Sequence, residues 1–219
     1  DVQFHNLGFV VIDEQHRFGV NQRQKLLSKS TNPNLMAMTA TPIPRTLAIT
    51  YNGDMDLSLI DELPKNRIPI TTKVIEPSRI NKVYQFIRKE VSQKRQCIIV
   101  YPLVEESKSS DLAAAEEAYK ELSSIQFNNF EVGLLHGKMG SDDKKKIINQ
   151  FENNDISILV STTVIEVGID IKNATVMVVE HSERFGLTQL HQLRGRVGRG
   201  DRKSYCILVK RDLSHASKE

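Results

Sequence analysis

Four short segments of this sequence carry side chains able to do chemistry on a phosphate. In the first, Val10-Val11-Ile12-Asp13-Glu14-Gln15-His16, two adjacent carboxylates directly follow an apolar run. The carboxyl end of a buried strand is where open α/β sheets place their ligands. There Asp13 can hold a Mg²⁺ that bridges phosphate oxygens, and Glu14 can orient a water for attack on a γ-phosphate. The same pair also reads as a plain strand end that caps the next helix. The second segment, Met38-Thr39-Ala40-Thr41-Pro42-Ile43-Pro44-Arg45-Thr46, again ends an apolar run. Its hydroxyls on Thr39 and Thr41 can pair with the acidic turn and sense its ligand state. The alternative is an ordinary helix start, with Thr41 as N-cap and Pro42 at the first helical position.

The third segment is Ser161-Thr162-Thr163-Val164-Ile165-Glu166-Val167-Gly168-Ile169-Asp170. Hydroxyls and free backbone N–H groups at a strand-to-helix turn suit a phosphate of a nucleotide or of nucleic acid. Gly168 allows close approach, and Asp170 can accept from a ribose hydroxyl; a capped helix and a tight turn read equally well. The fourth runs Gln189-Leu190-His191-Gln192-Leu193-Arg194-Gly195-Arg196-Val197-Gly198-Arg199-Gly200. Glycines interleaved with arginines suit no helix interior, since each Gly there costs ~1 kcal/mol against Ala. They do suit a site that brings guanidinium forks close to phosphate, which arginine grips bidentately. One decoy falls away. Gly133-Leu134-Leu135-His136-Gly137-Lys138-Met139 has too few residues between its glycines for a phosphate-binding loop, and no hydroxyl follows the lysine.

The elements that must position these residues alternate. Apolar runs at 8–12, 35–38, 97–100, 132–135, 156–160, 175–179 and 205–209 read as strands buried on both faces. Between them, Ile80, Val83, Tyr84, Ile87 and Val91 mark a helix with Ser78 as N-cap. Leu112, Ala115, Tyr119 and Leu122 mark a second, and Ile147, Ile148 and Phe151 a third. The pattern predicts an α/β protein, parallel sheets with helices on both faces. Residues 61–72, with two prolines, a charge cluster and no periodicity, break the rhythm as an interdomain linker. The expected organisation is residues 1–65 as the C-terminal part of a first domain and residues 66–219 as a complete second domain with five strands.

Composition only sets bounds. At 219 residues, with 39% hydrophobic and 26% charged residues, the chain is neither disordered nor fibrous. No run is apolar enough to span a membrane. The first residues show no basic-then-apolar leader. A net charge of +3 is too small to establish a nucleic-acid partner, which depends on a local patch. Cys97 and Cys206, each inside an apolar run, read as buried thiols of a reducing, cytoplasmic compartment.

In order and separation the segments resemble the later motifs of superfamily 2 helicases, and in wording the RecG family of bacterial ATP-dependent DNA helicases. The matching residues are Asp13 to Gly19, Thr39 to Thr46, Tyr101 to Ser107, and Glu183 to Leu187 running into Gln192 to Gly200. Transcription-repair coupling factors share the wording of Thr39 to Thr46, but their acidic motif usually reads Asp-Glu-Glu-Gln. The resemblance implies RecA-like folds: a partial first lobe, a complete second lobe, and ATP with Mg²⁺ as cofactors. It implies that Asp13 holds Mg²⁺ and that Glu14 positions the hydrolytic water. Gln192, Arg196 and Arg199 complete the catalytic set, the two arginines as arginine fingers. Gln15, His16, Thr39 and Thr41 would couple nucleotide state to movement, Gly168 and Asp170 would face the nucleotide, and Thr162 would contact a DNA phosphate.

The partner so implied is forked or branched DNA, together with the N-terminal half of the same polypeptide. The sequence contains no GxxxxGK loop followed by Ser or Thr. The expectation is therefore a fragment of a motor that remodels replication forks and Holliday junctions, without ATPase activity by itself. A non-catalytic nucleic-acid or protein interaction module with the same fold is the alternative from another class.

Overall fold

The computed structural model describes residues 2–14, 18–30, 33–39, 56–62, 67–102, 108–162 and 171–211. The chain divides into two compact units, Asp1–Asp61 and Glu62–Glu219.

In the first unit the run before the acidic pair becomes β1 (Phe9–Ile12), and Asn34–Ala37 becomes β2. They pair in parallel, with Ile12 opposite Ala37, and α1 (Val20–Leu27) makes the crossover that a parallel pair requires. The Gly19 N–H that opens α1 donates to Gln22 Oε1 at 3.1 Å. Val10 and Ile12 are buried, while Phe9 and Val11 on the opposite face are exposed. The expectation of strands covered on both faces therefore fails here, because the described residues of this unit supply cover to one face only.

The second unit opens on a strand that the hydrophobic pattern does not announce. This is β3 (Thr71–Ile75), whose middle residues are exposed. It is an edge strand paired only with the last strand, β8 (Tyr205–Val209), so it needs no continuous apolar run. The expected linker 61–72 thus ends inside a strand, and the sheet has six strands, where five were expected. A 3-10 turn, Pro77–Arg79, leads into α2 (Ile80–Ser92). With Pro77 starting that turn, Ser78 falls within it; Arg79 precedes the helix and makes no side-chain cap, so the expected Ser78 cap is wrong.

The remaining elements are β4 (Gln96–Val100), α3 (Lys108–Glu121) with a π turn at Leu122–Gln126, β5 (Val132–Leu135), α4 (Ser141–Glu152), β6 (Ile158–Ser161), β7 (Ala174–Val179), a 3-10 turn at Ser182–Arg184 and α5 (Leu187–Arg194). The strands lie in the order β3-β8-β7-β4-β6-β5, all parallel. Every residue of β4, β6 and β7 is buried. Alternate side chains feed opposite faces, as the two-residue period of a strand demands. Ile98, Val100, Met177 and Val179 join Phe151 of α4 and Leu193 of α5 in one core. Cys97, Ile99, Val176 and Val178 join Val83, Ile87 and Val91 of α2 in the other. Each large side chain so buried is worth ~1.5–3 kcal/mol. Helices on both faces are thereby held to the sheet, as the sequence pattern predicts. Gly133 lies in β5, where a Cβ would sit 2.7 Å from Ile156 Cδ1, a packing role rather than a phosphate loop. Both cysteines are buried and unbridged.

Candidate functional site

The acidic pair sits where the strand pattern puts it, directly past β1. Met38 N–H donates to the Ile12 carbonyl at 2.8 Å, so the parallel pairing continues one step beyond β2. Asp13, Glu14 and Thr39 consequently emerge at the same, carboxyl end of neighbouring strands. Asp13 is exposed, and its Oδ1 accepts the Glu14 N–H at 2.8 Å. Glu14 has φ 50, a left-handed conformation that a non-glycine residue rarely adopts. Such strain collects at functional positions, because the surroundings must hold it in place. An exposed carboxylate at a strand end suits Mg²⁺, which keeps most of its waters and takes one or two carboxylates plus phosphate oxygens. The described residues contain no cluster of three or more acidic, His or Cys side chains that would cage an ion by themselves.

The arginine segment belongs to the second unit. Helix α5 opens as α1 does, with the Gly186 N–H donating to Gln189 Oε1 at 3.1 Å. It ends at Arg194, and the chain continues through a turn at Gly195 and Arg196. Leu193 and Val197, both fully buried, pin the segment to the core, and Arg194 and Arg196 between them are half-buried. Arg194 Nη2 lies 3.1 Å from His191 Nδ1, Arg196 N–H donates to the Leu193 carbonyl at 3.0 Å, and Arg199 Nε donates to the Gly195 carbonyl at 3.3 Å. Arg196 is half-buried and Arg199 exposed. Gln192 Nε2 is buried without a hydrogen-bond partner among the described residues.

Two of the glycines have reasons inside the fold. Gly198 has φ 74, and a Cβ there would lie 2.8 Å from Ile70 Cγ1. A Cβ on Gly200 would lie 2.8 Å from the Lys172 carbonyl oxygen. The spacing of glycines and arginines thus reflects the path of the backbone as much as the reach of the guanidiniums.

The carboxyl ends of the central strands of the second unit carry further polar groups. Thr162, just past β6, is fully buried; its N–H donates to the Leu135 carbonyl at 3.2 Å, and its Oγ1 has no partner among the described residues. Glu180, directly past β7, is only 1% exposed and pairs with Arg211 at 3.2 Å. Burial pushes the Glu180 carboxyl above its ordinary value against the pull of that guanidinium. Burial, reinforced by the Glu180 charge, pushes the Tyr84 phenol up to about 12 and moves Tyr101 in the same direction. Neither Glu180 nor Arg211 stands out in a motif search. The available signal is a carboxylate placed immediately after the apolar run 175–179, the same signal that marks Asp13. Gln15, His16, Thr41, Gly168 and Asp170 lie outside the described residues.

Residues 78–201 match the helicase conserved C-terminal domain, and the chain belongs to that family. Over its whole length it is 55% identical to the ATP-dependent DNA helicase RecG of Synechocystis sp., of which it covers 26%. It is 50% identical to RecG of Bacillus subtilis, covering all of this chain and 32% of that protein. The chain thus spans about a quarter to a third of the length of these relatives. Its structure matches that of RecG bound to a three-way DNA junction with a TM-score of 0.75 and 46% identity, over 99% of this chain and 27% of that one. The parallel sheet with helices on both faces is that of a RecA-like helicase C-terminal lobe.

Proposed function

We propose that this chain is part of the motor of an ATP-dependent DNA helicase that remodels branched DNA, such as replication forks and Holliday junctions, in repair and recombination. The observation that carries the reading is identity of about one residue in two with RecG over the entire length of this chain. Residues 1–65 are then the C-terminal part of helicase lobe 1, and residues 66–219 are lobe 2. The same reading puts the work in the cytoplasm. Separately, no helix among the described residues is long and apolar enough to cross a membrane.

ATP and Mg²⁺ supply the phosphoryl chemistry. Asp13, exposed at the strand end, would hold the ion. Glu14, fixed in its left-handed turn, orients the attacking water. Arg196 and Arg199 would neutralise charge that builds on the phosphates in the transition state, and Gln192 belongs to the same catalytic set. Thr39 and Thr41, with Gln15 and His16, relay the state of the acidic turn. Gly168 and Asp170 would face the nucleotide, and Thr162, fully buried in this structure, would need its surroundings to open before it could meet a DNA phosphate.

The test uses the longer polypeptide with forked DNA. Arg199→Ala should cut phosphate release by roughly 10³–10⁵, the worth of an arginine finger, while DNA binding stays measurable. Turnover at the unmodified rate removes the assignment. The isolated chain should release phosphate only at background rate, and robust turnover by it overturns the reading of these residues as one part of a larger motor.

A further inference from the structure

Helix α5, which leads into the arginine segment, is reached through a short and strained turn. His181 adopts φ 51, Ser182–Arg184 make one 3-10 turn, Phe185 plugs into the core, and Gly186 starts the helix. Three hydrogen bonds tie this turn to the end of β8. Ser182 Oγ donates to the Val209 carbonyl at 3.2 Å. The Arg211 N–H donates to Glu183 Oε2 at 3.0 Å. Arg211 Nε donates to Glu180 Oε2 at 3.2 Å. Glu183 also reaches back within the turn, its Oε1 lying 3.5 Å from His181 Nδ1.

Glu180 is buried while the Arg211 side chain is 42% exposed, so solvent screens the pair and its net worth to stability is small. Replacing a buried pair by apolar residues of similar volume is often neutral or favourable, whereas removing one partner strands a charge. What the pair does supply is direction: Glu180 continues β7, Glu183 lies in the turn, and a single arginine grips both.

We propose that Arg211 is a positioning residue for the arginine segment. Through Glu180 and Glu183 it fixes the 180–186 turn, and with it the starting point of α5 and the placement of Arg196 and Arg199. Arg211 itself touches no nucleotide in this scheme. The proposal rests on the reading that Arg196 and Arg199 act on the phosphates. Those contacts matter in the transition state, where small misplacements cost rate rather than ground-state affinity.

The experiment measures DNA-stimulated ATP hydrolysis by the longer polypeptide. Arg211→Gln should lower kcat at least tenfold and leave KM for ATP within twofold. Arg211→Lys keeps a cation for Glu180, while the backbone N–H that Glu183 accepts survives in every variant, and it should recover kcat to within threefold. The double variant Glu180→Leu with Arg211→Leu should melt at or above the parent temperature, yet keep the tenfold deficit in kcat. Parental kcat in that double variant overturns the proposal, because the pair is then only a matter of stability; so does a loss expressed in KM alone. Arg199→Ala in the same preparation separates the two readings. If it hydrolyses ATP like the parent, the motor assignment falls and takes this proposal with it. If it is silent while the double variant is fully active, only the positioning role of Arg211 falls.

Discussion

The two sheets of this chain are built from equally apolar strands and use them differently. In β1, Phe9-Val10-Val11-Ile12, every second side chain is open, Phe9 at 57% and Val11 at 48%. In β6, Ile158-Leu159-Val160-Ser161, none is. An apolar run therefore states what a strand can tolerate. Whether both faces are dry depends on what lies above and below, and among the described residues the six-stranded sheet has helices on either side while the two-stranded sheet has cover on one.

The largest test of this contrast is truncation in each sheet. Leu159→Ala should cost ~2–5 kcal/mol, the range for a fully packed leucine. Val11→Ala should cost within about 0.5 kcal/mol, as exposed positions do. Urea titrations read through amide exchange in the strand concerned will compare them, and equal losses would abolish the distinction.

Glycine replacements sharpen it on a smaller scale. Gly198→Ala meets both a left-handed backbone and Ile70, and should cost about 1–3 kcal/mol. Gly8→Ala, with nothing within 4 Å of the added methyl, should shift the melting temperature hardly at all. A large shift at Gly8 would mean that the face beside β1 is less open than the exposure of Phe9 and Val11 indicates.

Acidity acts on the rim of the larger sheet. Burial, with the nearby Arg211 charge, lowers the His181 pKa below its ordinary 6.5. The unfolded chain then takes up the proton first, so stability is lost as pH falls from 6.5 toward the depressed value. Glu180 works in the opposite sense: its raised pKa makes stability fall as pH rises from the ordinary 4.5 toward the folded value. Denaturant midpoints across pH 4–7 should lose the first slope in His181→Asn, a residue that tolerates a left-handed backbone, and the second in Glu180→Gln. Unchanged profiles would show that neither side chain governs the rim.

The smallest effect leaves stability untouched. Burial raises the Cys206 thiol to about 11 and Cys97 in the same direction, so a thiol reagent at pH 8 should modify neither before the unit opens. Rapid modification of the native chain would place β4 or β8 nearer to solvent.

These contrasts show what was legible in the residues. Strands covered on both faces announce themselves, because apolar side chains predominate there, with Gln96, Ser161 and Thr175 the buried polar exceptions; β4, β6 and β7 all did. β3 was hidden for the converse reason. An edge strand with Thr72, Lys73 and Val74 exposed carries no such constraint, and Pro69 just before it imitates a linker. The Ser78 cap failed because Pro77 starts a 3-10 turn one residue earlier, a competition decided over a single peptide unit. Of the candidate site, the Asp13–Glu14 pair and the arginine segment were visible as residue types out of place after an apolar run or beside glycines. The left-handed turn at Glu14 was not, since no side chain there demands it. Nor were the contacts of Gly198 with Ile70 and of Arg211 with Glu180, which join residues distant along the chain.

The pairing of β3 with β8 has a consequence for how the second unit is made. Its first strand hydrogen-bonds to its last, so a ribosome must deliver Tyr205–Val209 before Thr71–Ile75 has a neighbour in the sheet. Contacts between such remote positions are slow to form because the intervening loop must close first. The central strands can assemble while synthesis continues, and the edge closes last. A nascent chain halted before residue 205 should therefore leave Thr71–Ile75 open to protease, and release of the finished polypeptide should seal it.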